Sequence, residues 1–116
     1  MLPLVKKKLC FDLDGVICTT KGNDYLNAKP KKQVIKFINK LSEKHTIIIF
    51  TARYMGRNGD KISLAKKQGY KKTLSQLKKW KLNYDKLVFG KPSYDIFVDD
   101  KAYGFRKNWF KKFYIE

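Results

Sequence analysis

Two kinds of segment alternate along this chain: short apolar, β-branched runs, and longer lysine-rich stretches in which apolar residues recur at helical spacing. That alternation is the pattern of βαβ units around a parallel sheet, an α/β fold with a central, mainly parallel sheet flanked by helices. The first run, LCFDL at 9–13, predicts a strand ending in acidic residues and a glycine. Between 30 and 44, Val34, Ile35, Phe37, Ile38 and Leu41 share one helical face, and Pro30 suits the first turn. TIIIFTAR at 46–53 opens as a continuous apolar run, as a central strand covered on both faces should. A short helix is expected over 60–69, with Ile62 and Ala65 turned inward, Leu64 off that face, and Gly69 as its stop. A second, over 73–82, carries Leu74, Leu77 and Trp80, and LVFG at 87–90 and YDIFV at 94–98 predict two more strands. The tail from Lys101, with Phe105, Trp109, Phe110 and Phe113, predicts a closing helix packed on the sheet.

Length and composition narrow this picture. At 116 residues the chain suits one domain, 1–116, and 43% hydrophobic residues with 15% aromatics exclude a charge-dominated disordered chain. No apolar run approaches the roughly 20 residues that cross a bilayer, and the first residues lack the apolar centre of a signal peptide, so the expected location is cytoplasmic, with no membrane partner. Cys10 and Cys18 are expected to be buried thiols, and a lone histidine, His45, leaves too few parts for a zinc site or a Ser-His-Asp triad. Its setting between a charged helix end and an apolar strand points to a structural role. The net charge of +17 has three readings: a general lysine bias, a nucleic-acid face, or steering of a polyanionic small substrate. Lysine supplies nearly all of it and is spread along the chain, with arginine only at Arg53, Arg57 and Arg106, which favours the first.

The chemistry lies at the ends of the predicted strands: FDLDG at 11–15, FTAR at 50–53, GKP at 90–92 and VDD at 98–100. In an open parallel sheet, ligands bind beyond the carboxyl ends of the strands, so these pieces would meet in one crevice. Asp12, Asp14, Asp99 and Asp100 would then bring carboxylates together, and their repulsion calls for a cation. Magnesium fits, since it takes one or two carboxylates, a carbonyl and waters and leaves room for a phosphate oxygen. Lys91 supplies a fixed positive charge, while the Thr51 hydroxyl and the neighbouring backbone at Ala52 offer donors to a phosphate. Asp12 is the candidate nucleophile, forming an aspartyl-phosphate, and Asp14, two residues on, the candidate group that protonates the leaving alcohol and then activates water.

FDLDG, a threonine closing a strand, a lysine and an acidic pair, in that order, resemble the four motifs of the haloacid dehalogenase (HAD) superfamily, spanning Asp12 to Asp100. The resemblance implies a three-layer Rossmann-like fold and magnesium-dependent hydrolysis of a phosphate ester. It implies Asp12 as nucleophile, Asp14 as acid/base and backbone ligand, Thr51 and Lys91 as phosphate binders, and Asp99 and Asp100 at the metal end. The carboxylate at Asp14 is similar to the phosphatase and phosphotransferase branches. The intervals where caps insert are short here, so the chain resembles members with no cap domain. An open site implies either a substrate whose bulk extends into solvent or a lid lent by a neighbouring subunit of a homo-oligomer.

Residues 19–30 resemble the flap over the site, with Asn23, Tyr25 and Asn27 as candidates for substrate selection beside Arg53, Tyr54 and Arg57; Arg53 is the foremost because it leaves the catalytic strand directly. FTAR, FGKP and YDIFVDDKA are similar to small phosphatase-like proteins of bacterial capsule and surface-polysaccharide synthesis, implying a phosphorylated sugar or glycan substrate. Two other expectations stand beside this one: a phosphatase acting on nucleic-acid ends, and a phosphate-binding module without catalysis.

Overall fold

The computed structural model describes residues 5–113. In chain order its elements are β1 (Lys8–Asp12), β2 (Cys18–Thr19), β3 (Lys29–Pro30), α1 (Lys32–Ser42), β4 (Thr46–Thr51), α2 (Ile62–Lys79) and β5 (Lys86–Phe89), with short 3₁₀ turns at Tyr25–Asn27, Gly56–Asn58 and Trp109–Lys112. β1, β4 and β5 form a parallel sheet in the order β1-β4-β5, with Asp12 level with Phe50 and Thr51 level with Phe89. The expected centrality of TIIIFT follows from its composition: Ile47, Ile49 and Thr51 are fully buried, and the alternate residues are half-covered. α1 crosses from β1 to β4 and buries Val34, Ile35 and Ile38; α2 crosses from β4 to β5 and buries Ala65 and Leu77. Leu13, Ile17, Ile38, Ile47, Ile49 and Leu77 lose all solvent contact, each side chain contributing about 1.5–3 kcal/mol of hydrophobic stabilisation. β2 and β3 pair antiparallel as a two-stranded ribbon, closing the loop that follows β1.

Several expectations are corrected. The two helices expected over 60–69 and 73–82 are one continuous helix, α2. Gly69 does not stop it but serves packing: a Cβ there would overlap the Tyr54 ring. Ile62, expected inward, is 47% exposed, and its side chain lies against Gly90. Pro30 sits in β3 instead of the first turn of α1. YDIFV at 94–98 forms no strand; Ile96 and Val98 are 82% and 91% exposed. Local contacts hold that segment instead: Tyr94 and Phe97 lie together at 5.2 Å, both beneath the Lys91 ammonium, and Ser93 is tied to the Asp60 carboxylate.

Among the described residues the tail is not a helix beyond its 3₁₀ turn, yet Trp109, Phe110 and Phe113 pack on the core as expected. Trp109 is buried against Phe11 of β1 and Phe37 of α1, at ring separations of 5.8 and 5.9 Å, and Phe113 joins them. Phe105 stays exposed. Of the two thiols, both free, Cys18 is buried and Cys10, expected to be, is exposed. His45 is buried and accepts a hydrogen bond from the Lys7 amide at Nδ1, a structural role as anticipated. Among the described residues no helix is long and apolar enough to cross a membrane.

α2 closes with the Lys81 amide bonded to the Lys78 carbonyl and the Leu82 amide to that of Leu77, which needs a left-handed residue between them. That residue is Lys81, at φ 58, where glycine is the ordinary choice. Asn39 anchors the turn, donating to the Lys81 carbonyl and accepting from the Asn83 amide. Lys81→Gly is therefore expected to raise stability by about 0.5–1 kcal/mol, relief of the left-handed strain exceeding the added unfolded-state entropy. Urea unfolding checks this, and a lower midpoint at unchanged slope would count against it.

Candidate active site

Because β1, β4 and β5 run parallel, their carboxyl ends open on one edge of the sheet, and Asp12, Thr51 and Lys91 meet there. The chain leaves β5 through Gly90, at φ 111, and the Lys91 amide bonds the Thr51 carbonyl at 3.2 Å. This brings the Lys91 Nζ to 3.6 Å from Asp12 Oδ2, an ion pair too long for a direct hydrogen bond. The other oxygen, Oδ1, accepts from the Leu13 amide at 2.9 Å. Thr51 is fully buried, its Oγ1 accepting from the Arg53 amide at 3.1 Å. Ala52, between them, is half-buried.

The electrostatics follow from burial. Partial desolvation pushes the Asp12 carboxyl above its ordinary value, against the opposing pull of Lys91 and the Leu13 amide, and the nearby Asp14 charge adds to the rise. Burial acts to lower Lys91, but the Tyr94 hydroxyl and Asp12 outweigh it and hold the ammonium charged. Beside them is a cavity of about 550 Å³ whose lining includes Cys10, Asp12, Val16, Lys91, Asp99 and Trp109.

Asp14 lies past the end of β1, where the chain turns through Gly15 at φ 93, and it is not among the residues lining this cavity. Its carboxylate is gripped by Arg53, with Nε 2.8 Å from Oδ2 and Nη2 2.9 Å from Oδ1, and the Thr20 hydroxyl also donates to Oδ1. The Arg53 side chain is 0% exposed, and Nη1 donates to Gln76 Oε1 at 2.6 Å. Longer contacts reach Thr73 Oγ1 and Cys18 Sγ. Arg53 was the foremost expected selector of substrate, but in this arrangement every guanidinium N–H faces a protein acceptor. Tyr25 caps the same guanidinium with its ring, 5.1 Å away, and Arg57 lies over Tyr54. Asn23 Oδ1 accepts from the Tyr25 hydroxyl, and Asn27 donates to Asp24.

The acidic pair is exposed, and its two members differ: Asp99 lines the cavity with Asp12, its Oδ1 accepting from the Lys101 amide at 2.8 Å, whereas Asp100 does not line it. Among the described residues no three His, Cys, Asp or Glu side chains cluster closely enough to enclose a metal ion. The donors on the cavity, the Asp12 and Asp99 carboxylates, are nevertheless hard oxygens of the number magnesium accepts from protein.

Sequence reasoning missed Gln76, Thr73 and Thr20. A signal existed for the first two, since Ala65, Gly69, Thr73 and Gln76 recur at helical spacing on one buried face of α2, and polar side chains there need partners. Thr20 carried none.

No family model matches the chain, and no curated protein matches it. A protein from Vibrio cholerae, whose crystal structure was solved as an MCSG target, is similar in fold, with TM-score 0.83 and 27% identity over 94% of this chain and 90% of that one. The likeness thus extends over nearly the full length of both, and the chain is a small α/β protein built on a parallel three-stranded sheet with helices, compatible with a Rossmann-like arrangement.

Proposed function

We propose that this chain is a magnesium-dependent phosphomonoester hydrolase of HAD type, a capless, three-layer Rossmann-like enzyme acting through an aspartyl-phosphate on a phosphorylated sugar or sugar conjugate. The observation that carries the reading is the convergence of Asp12, Thr51 and Lys91 at the adjoining ends of three parallel strands, with Lys91 Nζ 3.6 Å from Asp12. An Asp12 oxygen attacks the phosphorus as the bond to the alcohol oxygen breaks, and Asp14 gives that oxygen its proton. Asp14 then takes a proton from water as the water attacks the aspartyl-phosphate, releasing inorganic phosphate and restoring Asp12. Lys91 balances phosphoryl charge, and Thr51 with the Ala52 backbone orients the group. Magnesium, when bound, supplies further positive charge against the phosphoryl oxygens; Asp12 and Asp99 would hold it, with the Asp14 carbonyl and Asp100 as further donors.

The test is release of inorganic phosphate from a panel of sugar and other phosphate esters with magnesium, after chelation, and after magnesium is restored. Turnover should fall roughly a hundredfold or more on chelation, since several kcal/mol of transition-state stabilisation is removed, and return with the metal. If no ester is turned over, the reading fails. The net charge of +17 favours a second reading, a phosphatase of nucleic-acid ends. Ionic strength separates the two, because a polynucleotide substrate loses affinity steeply with salt through counterion release and a sugar phosphate does not.

A further inference from the structure

We infer that Arg53 is a positioning residue that holds the Asp14 carboxylate for proton transfer, oriented in turn by Gln76; this rests on the hydrolase reading above. The inference starts from how completely the guanidinium is committed. Nε and Nη2 grip the two oxygens of Asp14 at 2.8 and 2.9 Å, and Nη1 donates to Gln76 Oε1 at 2.6 Å. The Gln76 amide is itself fixed at its other end, Nε2 donating to the Tyr25 carbonyl at 2.8 Å. With the Tyr25 ring 5.1 Å away and the side chain 0% exposed, the guanidinium has one place to sit.

Planar, bidentate contact fixes both distance and plane of a carboxylate, which a single ammonium does not do. The remaining contacts then decide which oxygen works. Oδ1 accepts from Arg53 Nη2, from the Thr20 hydroxyl and, at 3.4 Å, from the Cys18 thiol, so its acceptor capacity is taken. Oδ2 accepts from Arg53 Nε alone, and the Asp14 side chain keeps 25% of its surface open. The proton that Asp14 gives and takes therefore belongs on Oδ2.

A positioning role separates from a merely structural one by leaving group. An alkyl or sugar phosphate needs a proton delivered to its departing oxygen, whereas p-nitrophenyl phosphate leaves as a stable phenolate and does not. Arg53→Lys should lower kcat on a sugar phosphate about a hundredfold, the usual cost of a misplaced catalytic group, with KM little changed. On p-nitrophenyl phosphate the same variant should release its first equivalent of phenolate within a few-fold of the parent rate, ahead of a slowed steady state, because water attack on the shared aspartyl-phosphate still needs Asp14. Adding Arg53→Lys to Asp14→Asn should cost nothing further on the sugar ester. Gln76→Glu, which offers the guanidinium a competing carboxylate, serves as the second variant and should show the same selective loss. Equal loss in the first turnover of both esters, or no loss on the sugar ester in either variant, overturns the assignment. A parent chain inert toward both esters overturns the hydrolase reading itself.

Discussion

Asp12→Asn is expected to lower phosphate-ester turnover about 10⁴-fold or more and, at neutral pH, to leave the fold more resistant to heat than the parent. The first half follows from chemistry, because an amide oxygen cannot form the acyl-phosphate that divides the reaction into two easier steps, and loss of a nucleophile removes most of the rate acceleration. The second half follows from the environment of the carboxyl. Burial raises Asp12 above its ordinary 3.8, with Lys91 and the Leu13 amide only partly opposing. For an acid raised on folding, the stability contribution is fully present below the unfolded value and is lost as pH rises through the folded one. The parent should therefore match the asparagine variant below about pH 3.8 and fall behind it above the folded-state value. The Lys91 ammonium keeps the Tyr94 and Phe97 rings beneath it and faces the neutral amide of asparagine in place of its carboxylate partner. Melting temperatures from pH 3 to 7, read beside phosphate release, check both halves. An asparagine variant that melts below the parent at pH 7 would refute the second, and one that keeps its activity would refute the first.

Asp14→Ala is expected to cost about 3 kcal/mol of stability, because removing one partner of a buried pair leaves the other charge uncompensated. The asymmetry of exposure sets the size: the Asp14 side chain is 25% exposed, but that of Arg53 is 0% exposed and cannot turn to water without opening the packing of α2 against Tyr25. Denaturant unfolding measures the loss, and pairing the change with Arg53→Met should recover much of it, since replacing both members of such a pair by apolar groups is close to neutral. An alanine variant as stable as the parent would mean that solvent reaches the guanidinium. Kinetic work on Asp14 is therefore best done with asparagine, which keeps acceptors for Arg53.

How far these features were legible in the sequence depends on how local their causes are. β4 was readable because TIIIFT is a continuous apolar run, buried on one face and half-covered on the other, and a run of that length has little else to be. The strand ends carrying Asp12, Thr51 and Lys91 followed once a parallel sheet was assumed, since parallel strands put their carboxyl ends on one side. YDIFV at 94–98 has the same composition as a strand, yet its fate depended on contacts of Tyr94 and Phe97 with Lys91, which no periodicity encodes. Gly69 looked like a stop because glycine weakens helices, but the Tyr54 ring that needs its space comes from the turn after β4. Arg53 adjoined the right strand and was assigned outward to substrate; only the fold brings Asp14 and Gln76 around it.

β1 lies at the rim of the sheet, and among the described residues no strand pairs with its outer side. A bare row of amides and carbonyls on such a rim invites a second copy to zip alongside. Lys6, Lys7 and Lys8 stand exposed at that place, so any copy approaching in the same manner meets its own charge. The lysine excess thus acts as electrostatic insulation for the strand that carries Asp12, and polyanions or strong salt, by cancelling it, would strip that guard away.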